Sequence, residues 1–181
     1  MSDHVCPWWL AYTFDNPLRR LIHKPEKILG PYVKSGMTVA DLGCGMGYFS
    51  LGLARLVGEK GTVIAVDLQR EMLNALRRRA SRAGLLNRVM PVLADRDVLN
   101  LDQEIDFALA FWMVHETPSP YRFFSQVAAR LSDGAKLLVA EPRFHVPPER
   151  FAEILEDAGR TDLRILEHPP VGFSRTALLS R

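Results

Sequence analysis

Short apolar runs alternate with amphipathic stretches from about Met37 to the end of the chain. The runs predict strands at Thr38–Leu42, Thr62–Leu68, Arg88–Ala94, Ile105–Met113 and Ala135–Glu141. Segments such as VIAV and LLVA are apolar at every position, as parallel strands covered on both faces must be. Between them, Tyr48–Val57 places Phe49, Leu53, Leu56 and Val57 on one helical face. Glu71–Ala83 does the same with Met72, Leu76, Ala80 and Ala83, and Gly84 supplies a stop. Tyr121–Leu131 and Pro148–Ala158 read as the later helices. Strand–helix alternation of this kind predicts an α/β, doubly wound sheet. The chain ends on two strands, Leu163–Glu167 and Arg175–Leu179. The Pro/Gly loop at 169–172 between them is too short for anything but an antiparallel hairpin. Residues 1–36 read as a separate helical segment, with Asn16-Pro17 and Lys24-Pro25 as helix starts.

Composition narrows this picture only a little. The chain has 181 residues, 48% of them hydrophobic, which suits one folded domain with a sizeable core. A formal net charge of +2 neither marks nor excludes a nucleic-acid binder. No apolar run approaches the ~20 residues that span a membrane. No basic start followed by an apolar stretch marks a secretory signal. Cys6 and Cys44 form neither a disulfide framework nor a CxxC metal pair, so a reduced, cytoplasmic protein without a bound metal is expected.

The candidate chemistry starts at VADLGCGMGYFS, where Gly43, Gly45 and Gly47 follow an apolar strand and precede a helix. Bare backbone at a strand end lets a ligand approach, and the next helix offers unpaired N–H groups. The dinucleotide fingerprint GxGxxG does not fit, because Tyr48 or Ser50 stands where its third glycine belongs. The pattern is acid-x-G-x-G-x-G, and its Asp41 suits a cationic ligand group better than a pyrophosphate. Asp67 ends the second predicted strand, where a carboxylate can accept bonds from vicinal ribose hydroxyls, and Asp95 ends the third. An isolated aspartate at a strand end is most often a cap or turn residue. Three at successive strand ends, beside a glycine loop, point to a ligand.

From Met37 onward the sequence resembles the class I S-adenosylmethionine-dependent methyltransferases. DLGCGMG is similar to that family's first motif and VDLQREML to its second. The spacing of Asp67, Met72 and Leu73 resembles the ubiquinone/menaquinone-biosynthesis C-methyltransferase branch. That branch carries L-K-P-G-G before its fifth strand, whereas only Leu131 and Gly134 match here. The resemblance implies a Rossmann-like seven-stranded sheet, mostly parallel with a C-terminal antiparallel hairpin, and S-adenosyl-L-methionine as cofactor for residues 37–181. It also implies that Asp41 and the backbone of Gly43, Cys44, Gly45 and Gly47 hold the methionine part. Asp67 would then take the ribose, Leu68 lie against the adenine, and Asp95 bind the adenine amino group. Trp112 is a further candidate for cofactor contact.

A methyl acceptor would approach over the end of the fourth strand, which reads AFWMVHETPSP. The Asn/Asp-Pro-Pro-aromatic motif that some relatives use for amino-group methylation is absent, and no second acid joins Glu116 in a metal set. His115 and Glu116 are the polar candidates for catalysis, histidine being suited to take a proton near neutral pH. The alternative is that they merely end the strand. Arg143 and His145 follow the fifth strand at the same edge and could meet an anionic group. Trp8, Trp9, Tyr12 and Phe14 could form a lid over the cleft or pack elsewhere. The run Arg77–Arg82 reads as a solvated helix face or an RNA patch. A small-molecule acceptor is favoured because no separate recognition domain remains, with RNA or protein acceptors as further options. The rival functions are a nicotinamide-dependent reductase and a non-catalytic cofactor-binding or partner-regulating module.

Overall fold

The computed structural model describes residues 22–181. Seven strands form one sheet: β1 (Thr38–Leu42), β2 (Thr62–Asp67), β3 (Val89–Leu93), β4 (Ile105–Phe111), β5 (Leu131–Pro142), β6 (Arg164–Glu167) and β7 (Ser174–Ser180). Their order is β3-β2-β1-β4-β5-β7-β6. The first five pair in parallel, and β7 lies antiparallel between β5 and β6. The predicted hairpin is therefore present, with β7 as the reversed strand. Pro91 is tolerated in β3 because that strand is the sheet's edge.

Period-two alternation sends successive strand residues to opposite faces. Val39, Val63, Phe107 and Leu109 face a layer made by α1 (Pro25–Leu29), α2 (Tyr48–Leu56) and α3 (Arg70–Arg82), through Leu29, Phe49, Leu53 and Leu76. Ala40, Ile64, Ala108 and Leu137 face α4 (Pro120–Ala128) and α5 (Pro148–Gly159), through Phe123, Phe124 and Ile154. Both faces are covered, which is why the strands read as continuous apolar runs. Each fully buried large side chain, such as Phe107 or Phe124, contributes about 1.5–3 kcal/mol relative to exposure.

Element ends follow local chemistry. Lys24-Pro25 does start a helix, with proline in the first turn. Residues 22–36 are otherwise tied down rather than helical throughout: Tyr48 Oη donates to the His23 carbonyl at 2.6 Å, and a His23 ring nitrogen contacts the Gly172 carbonyl at 2.6 Å. Asn16-Pro17 and the aromatics Trp8, Trp9, Tyr12 and Phe14 lie outside the described residues. Helix α4 begins at Pro120, one residue before the expected start, because the Ser119 hydroxyl accepts the Arg122 N–H and caps it. The fifth strand departs most from expectation. It begins at Leu131, not Ala135, because buried Leu131 pairs with Ile105 before an excursion through Gly134 (φ +74°) returns Lys136 opposite Phe107. Ser132, Asp133 and Gly134 hid that bulged strand inside a loop-like sequence.

Chain order reverses between β1 and β4, the crevice where open α/β sheets bind ligands. The glycine loop and the Met113–Glu116 segment leave the sheet there side by side.

Candidate functional site

The loop after β1 turns through left-handed backbone at Gly43 (φ +69°), Gly45 (φ +53°) and Gly47 (φ +84°). The three glycines have different reasons for being there. A Cβ on Gly43 would stand 2.8 Å from the Met113 side chain, and one on Gly47 would stand 2.1 Å from Leu76 Cδ1. A Cβ on Gly45 would meet nothing within 4 Å, so open space faces the loop at that residue. Gly47 caps α2. The loop is braced from below: Cys44 N–H donates to the Val66 carbonyl at 2.9 Å, and Arg79 Nη1 donates to the Met46 carbonyl at 3.1 Å. Arg79 thus leaves the solvated face expected for the arginine run and holds the loop from α3.

Asp67 lies at the tip of β2 facing this loop. Its Oδ2 accepts the Gly45 N–H at 2.8 Å and its Oδ1 accepts the Gln69 N–H at 2.9 Å. Burial pushes its carboxyl above the usual range, against the opposing pull of the Gln69, Gly45 and Leu68 N–H groups. Leu68 follows it with 40% of its surface exposed. Asp41 is buried at 2% exposure and accepts the Ser50 hydroxyl, so its carboxylate ties the end of β1 to the first turn of α2. Cys44 is buried, and that burial together with the charges of Asp41 and Asp67 pushes its thiol well above the ordinary range.

Asp95 is exposed on a tight turn in which its N–H donates to the Val98 carbonyl at 2.8 Å. Its neighbour Asp97 turns toward Arg122, at 4.0 Å. Asp67 therefore borders the glycine loop at the end of β2 with Leu68 following it, while Asp95 lies past the end of β3, the edge strand beside β2.

On the other side of the crevice, Trp112 follows β4 in left-handed backbone (φ +61°), which a tryptophan adopts only when its surroundings impose it. Two bonds do so: its N–H donates to the Ala140 carbonyl at 2.7 Å and its indole Nε1 donates to Ser174 Oγ at 2.9 Å. The kink leads into a single 3₁₀ turn, Val114–Glu116. That turn brings His115 Nδ1 against Glu141 Oε2 on β5, while Glu141 Oε1 accepts the Val114 N–H at 2.8 Å. Glu141 is fully buried. His115 Nε2 lies 3.9 Å from Glu116 Oε1, and the His145 ring sits 5.0 Å away. Arg143 donates through Nε to the Ser174 carbonyl at 2.8 Å, so that guanidinium is engaged in joining β5 to β7.

Glu141 was missed by the sequence reading, although a charged residue closing an apolar strand, LLVAEP, was a usable signal. Among the described residues, no group of three or more His, Cys, Asp or Glu side chains could hold a metal ion. Nor is any helix among them long and apolar enough to cross a membrane.

This arrangement has relatives. A family described as a methyltransferase domain matches residues 39–134, which runs from β1 through the glycine loop and β4 to the start of β5. The chain belongs to the class I S-adenosylmethionine-dependent methyltransferases. Against a SAM dependent methyltransferase from Aquifex aeolicus, the methyltransferase fold superposes with a TM-score of 0.84 at 28% identity, covering 97% of this chain and 98% of the other. The chain is 26% identical to the aklanonic acid methyltransferase DauC of Streptomyces sp. (strain C5), covering 95% of this chain and 76% of that one. It is 29% identical to the ubiquinone/menaquinone biosynthesis C-methyltransferase UbiE of Blochmanniella floridana, covering 69% of this chain. The chain spans about half of that relative's length, 49%.

Proposed function

We propose that this methyltransferase domain transfers the methyl group of S-adenosylmethionine to a small-molecule acceptor. The observation that carries the reading is the left-handed glycine loop whose Gly45 opens onto empty space while its N–H is held by Asp67. That donor set fits the cofactor: bare backbone for close approach and a carboxylate with remaining lone pairs for ribose hydroxyls. In this reading the backbone from Gly43 to Gly47 holds the methionine part, Asp67 holds the ribose, and Leu68 and Asp95 border the adenine. When bound, the cofactor supplies an activated methyl group on a sulfonium. The chain's own task is then to align an acceptor, exclude water and, where the acceptor needs it, remove a proton.

The fourth-strand end supports a place for the acceptor. Met113 packs against Gly43, so the segment carrying His115 and Glu116 adjoins the glycine loop directly. A small-molecule acceptor is favoured by two relatives whose names concern aklanonic acid and the biosynthesis of ubiquinone and menaquinone. The residues described also contain no separate recognition domain.

Calorimetry tests the reading. S-adenosylmethionine and S-adenosylhomocysteine are expected to bind and NADH is not. Release of S-adenosylhomocysteine is then followed across a panel of hydroxylated aromatics and quinols. Absence of measurable S-adenosylmethionine binding by the folded protein would end the proposal.

A further inference from the structure

We propose that Glu141 is a positioning residue that fixes the tautomer of His115, so that Nε2 carries the lone pair and is the proton-accepting face of the site. The inference rests on the methyltransferase reading for its purpose, but its geometry stands apart from it. Three observations lead to it. Glu141 is fully buried at the end of β5. Its Oε1 is occupied by a donor that cannot reverse, the Val114 backbone N–H at 2.8 Å. Its Oε2 contacts His115 Nδ1. An ionised carboxylate only accepts hydrogen bonds, so Nδ1 must be the protonated nitrogen. In a neutral ring the other nitrogen is then bare. The groups facing the imidazole are Glu141 from β5, Glu116 from its own turn and His145 from the segment after β5. Of these, only Glu141 makes hydrogen-bond contact, because Nε2 lies 3.9 Å from Glu116 Oε1.

The arrangement follows from the fold. β4 and β5 pair in parallel, with Phe111 opposite Ala140. Glu141 is thus the next residue on β5, and the kink at Trp112 swings the chain so that both Val114 and His115 reach it. One carboxylate fixes the turn through one oxygen and the ring through the other. A proton leaving an acceptor O–H or acidic C–H passes to Nε2. The electron pair it leaves behind would form the new bond to the methyl carbon as the methyl–sulfur bond breaks, that bond's electrons returning to sulfur and leaving with S-adenosylhomocysteine. The imidazolium produced keeps its Nδ1–H on Glu141, whose negative charge stabilises it. This suits an acceptor that must shed a proton rather than one with a lone pair already bare.

The test reads the tautomer directly. Long-range ¹H–¹⁵N spectra of the imidazoles are recorded on the wild-type protein at a pH where the ring is neutral, with His115→Asn giving the assignment. The expected wild-type spectrum shows His115 protonated at Nδ1. In Glu141→Gln the amide must turn its carbonyl to the Val114 N–H, which presents its NH₂ to Nδ1. The ring is then forced to accept there, and the tautomer inverts to Nε2–H. Glu141→Asp keeps an acceptor-only side chain and is expected to retain Nδ1–H. A wild-type ring protonated at Nε2, or a tautomer that does not respond to Glu141→Gln, overturns the inference. Should Glu141→Gln not fold, the wild-type spectrum and Glu141→Asp decide alone. S-adenosylmethionine calorimetry on the same wild-type sample is a separate readout: its failure sinks the cofactor reading and leaves the tautomer result to stand or fall by itself.

Discussion

The two sides of the crevice are built by different means. On the β1–β2 side, the site is backbone and short-range sequence: three left-handed glycines, with Asp67 bound to an N–H only 22 residues earlier. On the β4–β5 side it is a side-chain pair, His115 and Glu141, that exists only because two strands pair and one residue, Trp112, is held in a left-handed kink. A cofactor common to a whole family can be met by backbone geometry, which a glycine pattern encodes. An acceptor differs from member to member and is met by side chains, which no local pattern encodes.

The largest effect that could break this comparison is expected within the glycine loop itself. Gly47→Val must place a β-branched side chain at φ +84° and drive its Cβ into Leu76. Strain and overpacking together should cost roughly 2–6 kcal/mol of stability. Gly45→Val meets only the strain at φ +53°, roughly 1–3 kcal/mol, but its side chain enters the open space in front of the loop. Denaturant unfolding should therefore rank Gly47→Val well below Gly45→Val, while calorimetry shows Gly45→Val folded and deficient in S-adenosylmethionine binding. Equal stabilities, or full binding by Gly45→Val, would erase the division between a packing glycine and a ligand-facing one.

Asp67→Ala sharpens the same side. It removes a charged acceptor from the place proposed above for the ribose, and about 1.5–3 kcal/mol of cofactor affinity should go with it, roughly a 10- to 150-fold rise in Kd. Unchanged affinity in a folded variant would take Asp67 out of the site. The raised Asp67 carboxyl also sets a direction in pH. In the ligand-free protein the folded state holds this proton more tightly than the unfolded chain. Its contribution to stability therefore falls as pH rises through the window that opens at the ordinary value of 3.8. Cofactor affinity should move the opposite way, strengthening across that window as the carboxylate forms.

How much was legible in advance follows the same division. The strands β1, β2 and β4 were readable because their residues are apolar on both faces, and Asp67 was readable because it closes such a run next to a glycine loop. The start of β5 was not, since Ser132, Asp133 and Gly134 carry loop chemistry inside a strand whose pairing with β4 is interrupted by the bulge. Arg79 looked like one of several solvated arginines, and only the packing of α3 against the loop brings it to the Met46 carbonyl. Glu141 ends the fifth predicted strand, where Arg143 and His145 drew attention instead. Its importance comes from Val114 and His115, which are 27 and 26 residues away in the chain and adjacent only in the sheet.

The smallest effect concerns Cys44, which sits inside the glycine loop. Its thiol is buried, and that burial plus the nearby Asp41 and Asp67 carboxylates hold its proton well above the ordinary value of 9.0. A thiol whose folded value is raised stays neutral in the fold while the unfolded chain begins to ionise. Above pH 9.0 the unfolded state therefore binds fewer protons than the folded one, and stability must fall as pH rises. The slope for a single group is at most about 1.4 kcal/mol per pH unit. Other groups titrate in the same range, so the measured quantity is the difference between the parent and Cys44→Ala: unfolding free energies at pH 8 and pH 10 should drop more for the parent. The same burial should leave Cys44 unreactive toward a thiol reagent at pH 8 until the protein is denatured. Rapid labelling of the native protein would mean that the loop opens far enough to admit the reagent. The backbone geometry on which the cofactor side depends would then be formed on ligand binding rather than beforehand.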